Sequence, residues 1–449
     1  MNIRPRHILL FILSCLLLLG AVSYSFTLPL PFTKHLSFPT LTEVLDLPTP
    51  PSSPSQPSVS SVPSIPSVPS LPSPPSSVAD TLPSTPLPST PLALFRAALA
   101  ESSTRQVRVM HYGDSQIEED RITNNIRRHL QSQYGGSGTG WIQVPQYTPS
   151  ITTTLTVRMN DRLVTRKFAP KRYTVFGSTF RHRPNDNHYS AFGQVMMMDT
   201  TLQRHSDELL IHIEPLKDNQ PVNRFSQIRV LTRGNIEVNG LTQDILYYPN
   251  NTTTCDIELT GQGDVYGISL ESTTGVIVDN VPMRGAIGNI FTKMNEDQLR
   301  AFYAETNTRL IILQFGGNVM PGTKSSKRIY GYIKTMRRQI AFLRRCAPEA
   351  SIVFIGPSDM LTTIDGIRQS YPFVALLDEQ LAKMTAEENV GYFSLYQAMG
   401  GQGGMEKWQL NGWAAKDGVH FTRKGAYQAG ELFWHWLEEQ LQQPATSNL

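Results

Sequence analysis

The sequence predicts an α/β fold, a parallel sheet covered by helices on both faces, interrupted by an inserted all-β region. Three observations predict it. Arg309 to Phe315 (RLIILQF) and Ser351 to Ile355 (SIVFI) are continuous apolar runs, as expected of strands buried on both faces. Between them, Ile329, Ile333, Met336, Ile340 and Leu343 recur at helical spacing, and strands alternating with helices imply a parallel sheet. From about Thr148 to Val281 the rhythm changes to short alternating stretches punctuated by Gly, Asn and Asp, as in a β-sandwich.

Taken in order, the chain opens with Arg4, Arg6 and His7 before an apolar run from Ile8 to Val22. That is the layout of a signal peptide or signal anchor, assigned to residues 1–27, and it predicts export, with the basic end left in the cytoplasm. Residues 28–92 come next as a Pro/Ser-rich linker holding more than half of the 32 prolines. Pro63, Pro66, Pro69 and Pro72 recur at the three-residue period of polyproline II. Such a segment cannot bury a core, and at about 3.1 Å per residue it would span on the order of 140 Å. It reads as a spacer, holding the α/β domain away from a membrane if the leader stays uncleaved.

Order is expected from about Leu92. Gln106 to Tyr112 (QVRVMHY) predicts a buried strand, and Ile122 to Tyr134 a helix. These belong to the first part of the α/β domain, residues 93–147. The inserted domain, 148–281, holds candidate strands at Ile151–Val157, Leu209–Ile213, Ile228–Leu231, Ile236–Val238, Ile257–Leu259 and Val276–Val278. The second part, 282–441, adds a helix at Val374–Glu388, a strand at Gly391–Leu395 and a closing helix at Lys424–Leu441, before a tail at 442–449.

Composition narrows the function. A formal charge of +3, with no dense basic block interleaved with aromatics, argues against a nucleic-acid partner. Cys255 and Cys346 are the two cysteines beyond the leader; one disulfide or two buried thiols are both compatible with them. Neither belongs to a metal-binding cluster, and no organic cofactor motif is present. The glycines of Gly135 to Trp141 (GGSGTGW) follow a helix, whereas a dinucleotide fingerprint opens one.

The chemistry centres on Gly113-Asp114-Ser115, a turn directly after a predicted strand and before a helix. In a parallel sheet, ligands bind beyond the carboxyl ends of strands. A serine hydroxyl there needs a base, and Asp417-Gly418-Val419-His420 supplies His420 with Asp417 to orient it. A tetrahedral acyl intermediate also needs hydrogen-bond donors. The Ser115 backbone N–H, Gly288 in RGAIGN, and Asn318 in Gly316-Gly317-Asn318 are the candidates for that oxyanion hole.

Those four blocks, in that order, resemble the SGNH (GDSL) hydrolases. The resemblance implies a flavodoxin-like three-layer α/β/α fold, Ser115, Asp417 and His420 as catalytic triad, and Ser115, Gly288 and Asn318 as oxyanion donors. In the third block Val319 stands where the family usually has an acidic residue. Asp120-Arg121, GGSGTGW, Arg284-Gly285, Gly356-Pro357-Ser358-Asp359 and Met399-Gly400-Gly401 are similar to bacterial cell-wall members, including peptidoglycan O-acetylesterases, whose insertion resembles a carbohydrate-binding module. The implied activity is removal of O-acetyl groups from an envelope glycan by a periplasmic or envelope enzyme. An O-acetyltransferase using the same triad, and a non-catalytic glycan-binding protein, are the alternatives. Two features have plainer readings: His111 as a packed strand-end histidine, and the Arg337, Arg338, Arg344, Arg345 group as a solvated helix face.

Overall fold

The computed structural model describes residues 90–144, 150–151, 153–158, 164–166, 172–175, 178–181, 195–198, 209–215 and 221–442. The leader, nearly all of the Pro-rich linker and the last seven residues, for which the sequence predicts an address, a spacer and a tail, lie outside the described residues.

Five strands form the parallel sheet: β1 (Gln106–Gly113), β2 (Gly275–Pro282), β3 (Thr308–Gln314), β4 (Ser351–Ile355) and β5 (Gly391–Phe393). Their order is β2-β1-β3-β4-β5, the flavodoxin-like arrangement, with β1 at the switch point between its neighbours. Val107, Val109, Met110 and Tyr112 of β1 are all fully buried, because helices cover both faces. The helices are α1 (Ala93–Leu99), α2 (Thr123–Tyr134), α3 (Glu296–Glu305), α4 (Ser326–Cys346), α5 (Val374–Glu387), α6 (Leu395–Ala398), α7 (Gly404–Leu410) and α8 (Arg423–Gln442). Two apolar layers result: one packs α4 and α5 on Ile311, Leu313 and Phe354, the other packs α1, α2 and α8 on Val109, Ile312 and Val353. The apolar stripe predicted on α4 faces the first layer; Arg337 and Arg345 on its outer side pair with Glu388 (2.6 Å) and Glu296 (3.0 Å).

The insertion is antiparallel, as expected. Its spine is a long strand, Cys255–Glu271, that pairs with Phe225–Val238, Leu209–Pro215, Val195–Met198 and Gly140–Ile142 within an eight-stranded sheet. The candidate strands at Ile228–Leu231 and Ile236–Val238 are one continuous strand.

One strand changes domain. Val276–Val278, expected in the insertion, lies in β2, which runs parallel to β1 from Gln106 opposite Gly275 to Gly113 opposite Pro282. The antiparallel pairing therefore spans Gly140 to Glu271 rather than the predicted 148–281. The physical reason is partnership: an apolar run such as Val276-Ile277-Val278 fits either sheet, and only contact with β1, far back in sequence, decides. Cys255 and Cys346 are both free and buried.

Candidate active site

Ser115 stands two residues past the end of β1, at the start of a short 3-10 turn (Ser115–Asp120) at the carboxyl edge of the sheet. The side chain of Asp114 caps that turn by accepting from the Gln116 backbone N–H at 3.0 Å. Gly113 leaves room for Ile117 to fold back: a Cβ there would lie 2.9 Å from its side chain. The result is a half-buried hydroxyl at the mouth of a cavity of about 110 Å³.

His420 reaches Ser115 from the loop before α8. Its Nε2 lies 3.0 Å from Ser115 Oγ, and its Nδ1 lies 2.7 Å from Asp417 Oδ2. Asp417 Oδ1 accepts from the backbone N–H groups of Val419 (2.9 Å) and His420 (3.0 Å), so the carboxylate is fixed by its own loop. Partial burial raises the Asp417 pKa, but these hydrogen bonds outweigh that and hold it below the usual carboxylate value. With Asp417 on Nδ1, the remaining ring nitrogen is free to accept the serine proton. The three predicted triad residues are brought together in hydrogen-bonding sequence.

The predicted oxyanion donors are placed differently from one another. Asn318 follows β3 and lines the same cavity as Ser115 and His420. Its amide Nδ2 donates to Asp114 Oδ2 (3.0 Å) and to the Ala286 carbonyl (3.1 Å), so both of its hydrogens are engaged. Gly288 is not among the residues lining that cavity. It is buried with φ +79°, and a Cβ there would meet the Phe315 ring at 2.8 Å. Nearby Gly285 is exposed, with open space around it. Val319, the departure in the third block, is buried in the core beneath the site.

Two residues with no role assigned from sequence, Arg121 and Gln116, hold the nucleophile turn and the histidine loop together, and a third, Asp120, ties the turn to α2. Arg121 donates to the carbonyls of Ser115 (2.8 Å), Gln116 (3.2 Å) and Phe421 (3.2 Å). Gln116 Nε2 donates to the Val419 carbonyl at 2.7 Å. Asp120 takes a bidentate grip on buried Arg127, at 2.5 and 3.0 Å, and sits with Glu119 at positive φ. Two successive non-glycine residues in that strained region mark a backbone held by its surroundings. Arg121 and Asp120 appeared in sequence only as part of a resemblance; Arg121's partners are backbone carbonyls, which leave no pattern, and Asp120 meets Arg127 only through the strained turn between them.

His111 behaves as the packed histidine expected. It is fully buried between Gln314 Oε1 (3.1 Å) and Thr123 Oγ1 (2.8 Å), and burial pushes its pKa down to about 3.

No protein-family model matches the chain, and no curated protein matches it by sequence. Solved structures do match. A peptidoglycan O-acetylesterase superposes with a TM-score of 0.59 at 20% identity, covering 78% of this chain and 96% of that one. An acetylxylan esterase from Geobacillus stearothermophilus matches over 39% of this chain and 77% of its own, at 14% identity and a TM-score of 0.27. Another acetyl xylan esterase covers 36% of this chain and 80% of its own, at 13% identity and a TM-score of 0.26. The first of these covers more of this chain than lies outside the antiparallel insertion, so the match extends into the insertion as well as the parallel sheet. The chain therefore shares the fold of that peptidoglycan O-acetylesterase, here a five-stranded parallel sheet covered by helices with an inserted antiparallel region.

Proposed function

We propose that the protein is a serine esterase that removes O-acetyl groups from a cell-envelope carbohydrate, with peptidoglycan as the foremost substrate. The observation that carries this reading is the relay from Ser115 Oγ through His420 to Asp417, at 3.0 and 2.7 Å. Ser115 Oγ attacks the acetyl carbonyl while His420 Nε2 takes its proton, and Asp417 stabilises the imidazolium that forms. The negative oxygen is received by the Ser115 N–H and by Asn318. A full charge is a stronger acceptor than a neutral carbonyl, so the Asn318 amide exchanges its bond to Ala286 for one to the oxyanion. Gly288 packs one layer behind, on Phe315, and shapes the loop that carries Ala286. His420 then protonates the departing sugar oxygen and activates the water that frees acetate.

The likeness in architecture to a peptidoglycan O-acetylesterase supports the choice of substrate. The basic, apolar leader and the Pro-rich spacer support an exported enzyme working in the envelope. The test is acid release from O-acetylated peptidoglycan, acetylated xylan and a longer-chain ester in parallel. Acetate should come fastest from peptidoglycan, and Ser115→Ala should lower its release at least a thousandfold with an unchanged circular dichroism spectrum. Preference for xylan or the longer ester would overturn the substrate. Acetylated acceptor glycan in place of free acetate would make the protein a transferase, and activity retained by the Ser115 variant would end the mechanism.

A further inference from the structure

A groove of about 380 Å³, larger than the cavity beside Ser115, lies where α2, α8 and the turn containing Val222 meet. The catalytic relay makes no use of it. Asn125, Arg128, His129 and Ser132 line it from one face of α2, at helical spacings of three and four, and Tyr427 with Glu431 line it from α8. The two helices approach closely because residue 430 is glycine: a Cβ there would lie 2.8 Å from Asn125.

The groove is built around Glu431. Its Oε1 accepts from Asn125 Nδ2 (2.5 Å) and His129 Nε2 (3.1 Å), and the Tyr427 hydroxyl donates to the same carboxylate. Burial raises the Glu431 pKa, and the three donors more than reverse that, so it stays charged and occupied. The bond to Glu431 fixes the Asn125 amide, leaving its Oδ1 buried with no partner among the described residues. Gln131, also on the groove, is fixed the same way: its Nε2 donates to the carbonyls of Gly138 (3.0 Å) and Val276 (3.2 Å), and its Oε1 has no partner among the described residues. Asn125 is 4% and Gln131 7% exposed. Both orphan oxygens are shut inside the groove's walls, that of Asn125 against Gly430, so they stiffen the walls and the accessible side chains meet a ligand.

Two accessible features point to a ligand. The Tyr427 ring is 54% exposed, and the His129 ring lies flat on Trp434, with centroids 4.8 Å apart and planes within 3°. The exposed Tyr427 ring, with its hydroxyl at one edge, suits the apolar face of a pyranose sugar, which carries hydroxyls at its own rim. Arg128 is exposed, acts electrostatically on the Tyr427 hydroxyl, and has no carboxylate partner among the described residues. With Glu431 already satisfied, its guanidinium is the groove's open charge, and a carboxylate is its bidentate complement.

We propose that this groove is a second, non-catalytic binding site for a saccharide chain bearing carboxylate groups. The choice of glycan rests on the envelope reading of the active site, but binding here requires no turnover, so the two can fail separately. The experiment uses the full chain carrying Ser115→Ala, titrated calorimetrically with lysozyme-released muropeptides and, in parallel, with chitotetraose, which has hydroxyls and N-acetyl groups but no carboxylate. Muropeptides should bind, chitotetraose at least tenfold more weakly, and Arg128→Ala or Tyr427→Ala should each weaken muropeptide binding about tenfold. In the chain with Ser115 intact, the same variants should leave hydrolysis of a small soluble acetyl ester unchanged while raising the KM for polymeric glycan. Equal affinity for both probes, or muropeptide binding indifferent to both substitutions, would overturn the proposal. Loss of ester hydrolysis with binding preserved would instead count against the catalytic reading alone.

Discussion

Asp114 adjoins the nucleophile, yet its carboxylate faces inward, between the Gln116 N–H and the Asn318 amide, and is 4% exposed. Burial pushes its pKa from the ordinary 3.8 up to about 6, against the pull of those two donors and of nearby His420. Between these values the folded chain holds a proton that the unfolded chain has released. Stability therefore falls as pH rises from about 4 to 6, by about 3 kcal/mol in all, at about 1.4 kcal/mol per unit. Asp114→Asn does not titrate, so its stability relative to the parent should climb by that amount across the window and then level off. Urea unfolding at pH 4, 5, 6 and 7 measures this; a difference that stays constant with pH would refute the buried titration. Asp417 has the opposite sense. Its pKa is lowered by the loop that holds it, and Asp417→Asn removes the charge that balances the imidazolium. The expected fall in kcat is about 10²- to 10⁴-fold with KM little changed, read from steady-state kinetics on a soluble ester. Sequence carried the identities of Ser115, Asp417 and His420, because each sits in a turn at the end of a strongly patterned element. It carried nothing of the Asn318–Asp114–Ala286 arrangement, since a side-chain amide's choice of acceptor depends on which loops end side by side.

The element that most directly steadies His420 is a hairpin, Leu361–Ile364 with Ile367–Ser370, rising between β4 and α5. Its backbone meets the catalytic loop: the Leu361 N–H donates to the Gly418 carbonyl at 2.8 Å, and Arg368 donates to the Lys416 carbonyl at 3.0 Å. Asp359 pins its base, accepting from Ser370 Oγ at 2.9 Å and from the Met405 N–H, across at α7, at 3.0 Å. Gly418 sits at φ +72°, and a Cβ there would lie 2.8 Å from Leu361 and 2.9 Å from Arg368. Gly418→Ala should thus cost about 1 kcal/mol for the left-handed backbone, and push hairpin and loop apart. Because Gly418 lies between Asp417 and His420, kcat should drop by at least about tenfold, through lost alignment. Kinetics and thermal unfolding measured together decide the point: stability lost with kcat intact would mean that the hairpin merely packs. The hairpin had a sequence signal, Asp365-Gly366 between Leu361-Thr362-Thr363-Ile364 and Ile367-Arg368-Gln369-Ser370, the dipeptide that favours a tight reversed turn. What sequence does not reveal is its docking onto residues some fifty positions later.

At the scale of the whole molecule, the insertion and the catalytic sheet share a buried ion cluster. Arg108 of β1 is 1% exposed; it donates to Asp279 of β2 at 2.7 Å and to Glu271, the last residue of the insertion's long strand. Glu271 also accepts from Gln106 (2.9 Å) and from Gln227 of the insertion (2.6 Å), while Asp279 Oδ1 accepts the Trp141 N–H at 2.8 Å. Desolvation would lower the Arg108 pKa and raise that of Glu271; their mutual charges, with Asp279 and Arg229 nearby, reverse both, so the cluster stays ionised. This explains why the domain boundary was the part of the fold that sequence misplaced. The strands on either side of Ser272–Thr274 serve different sheets, yet they are joined by a short link and a shared arginine. Patterning within either strand cannot reveal that division. It also makes a prediction about cooperativity. Arg108→Met leaves two carboxylates buried without their cation and should destabilise the protein by about 3 to 5 kcal/mol. Adding Glu271→Gln and Asp279→Asn removes the stranded charges and should recover much of that loss. Calorimetry of the parent should give one unfolding transition, because the cluster cannot be opened from the insertion's side without exposing β1, the strand that carries Ser115. Two well-separated transitions, or an Arg108→Met variant as stable as the parent, would show that the insertion is an independent module hung on the catalytic sheet rather than part of its support.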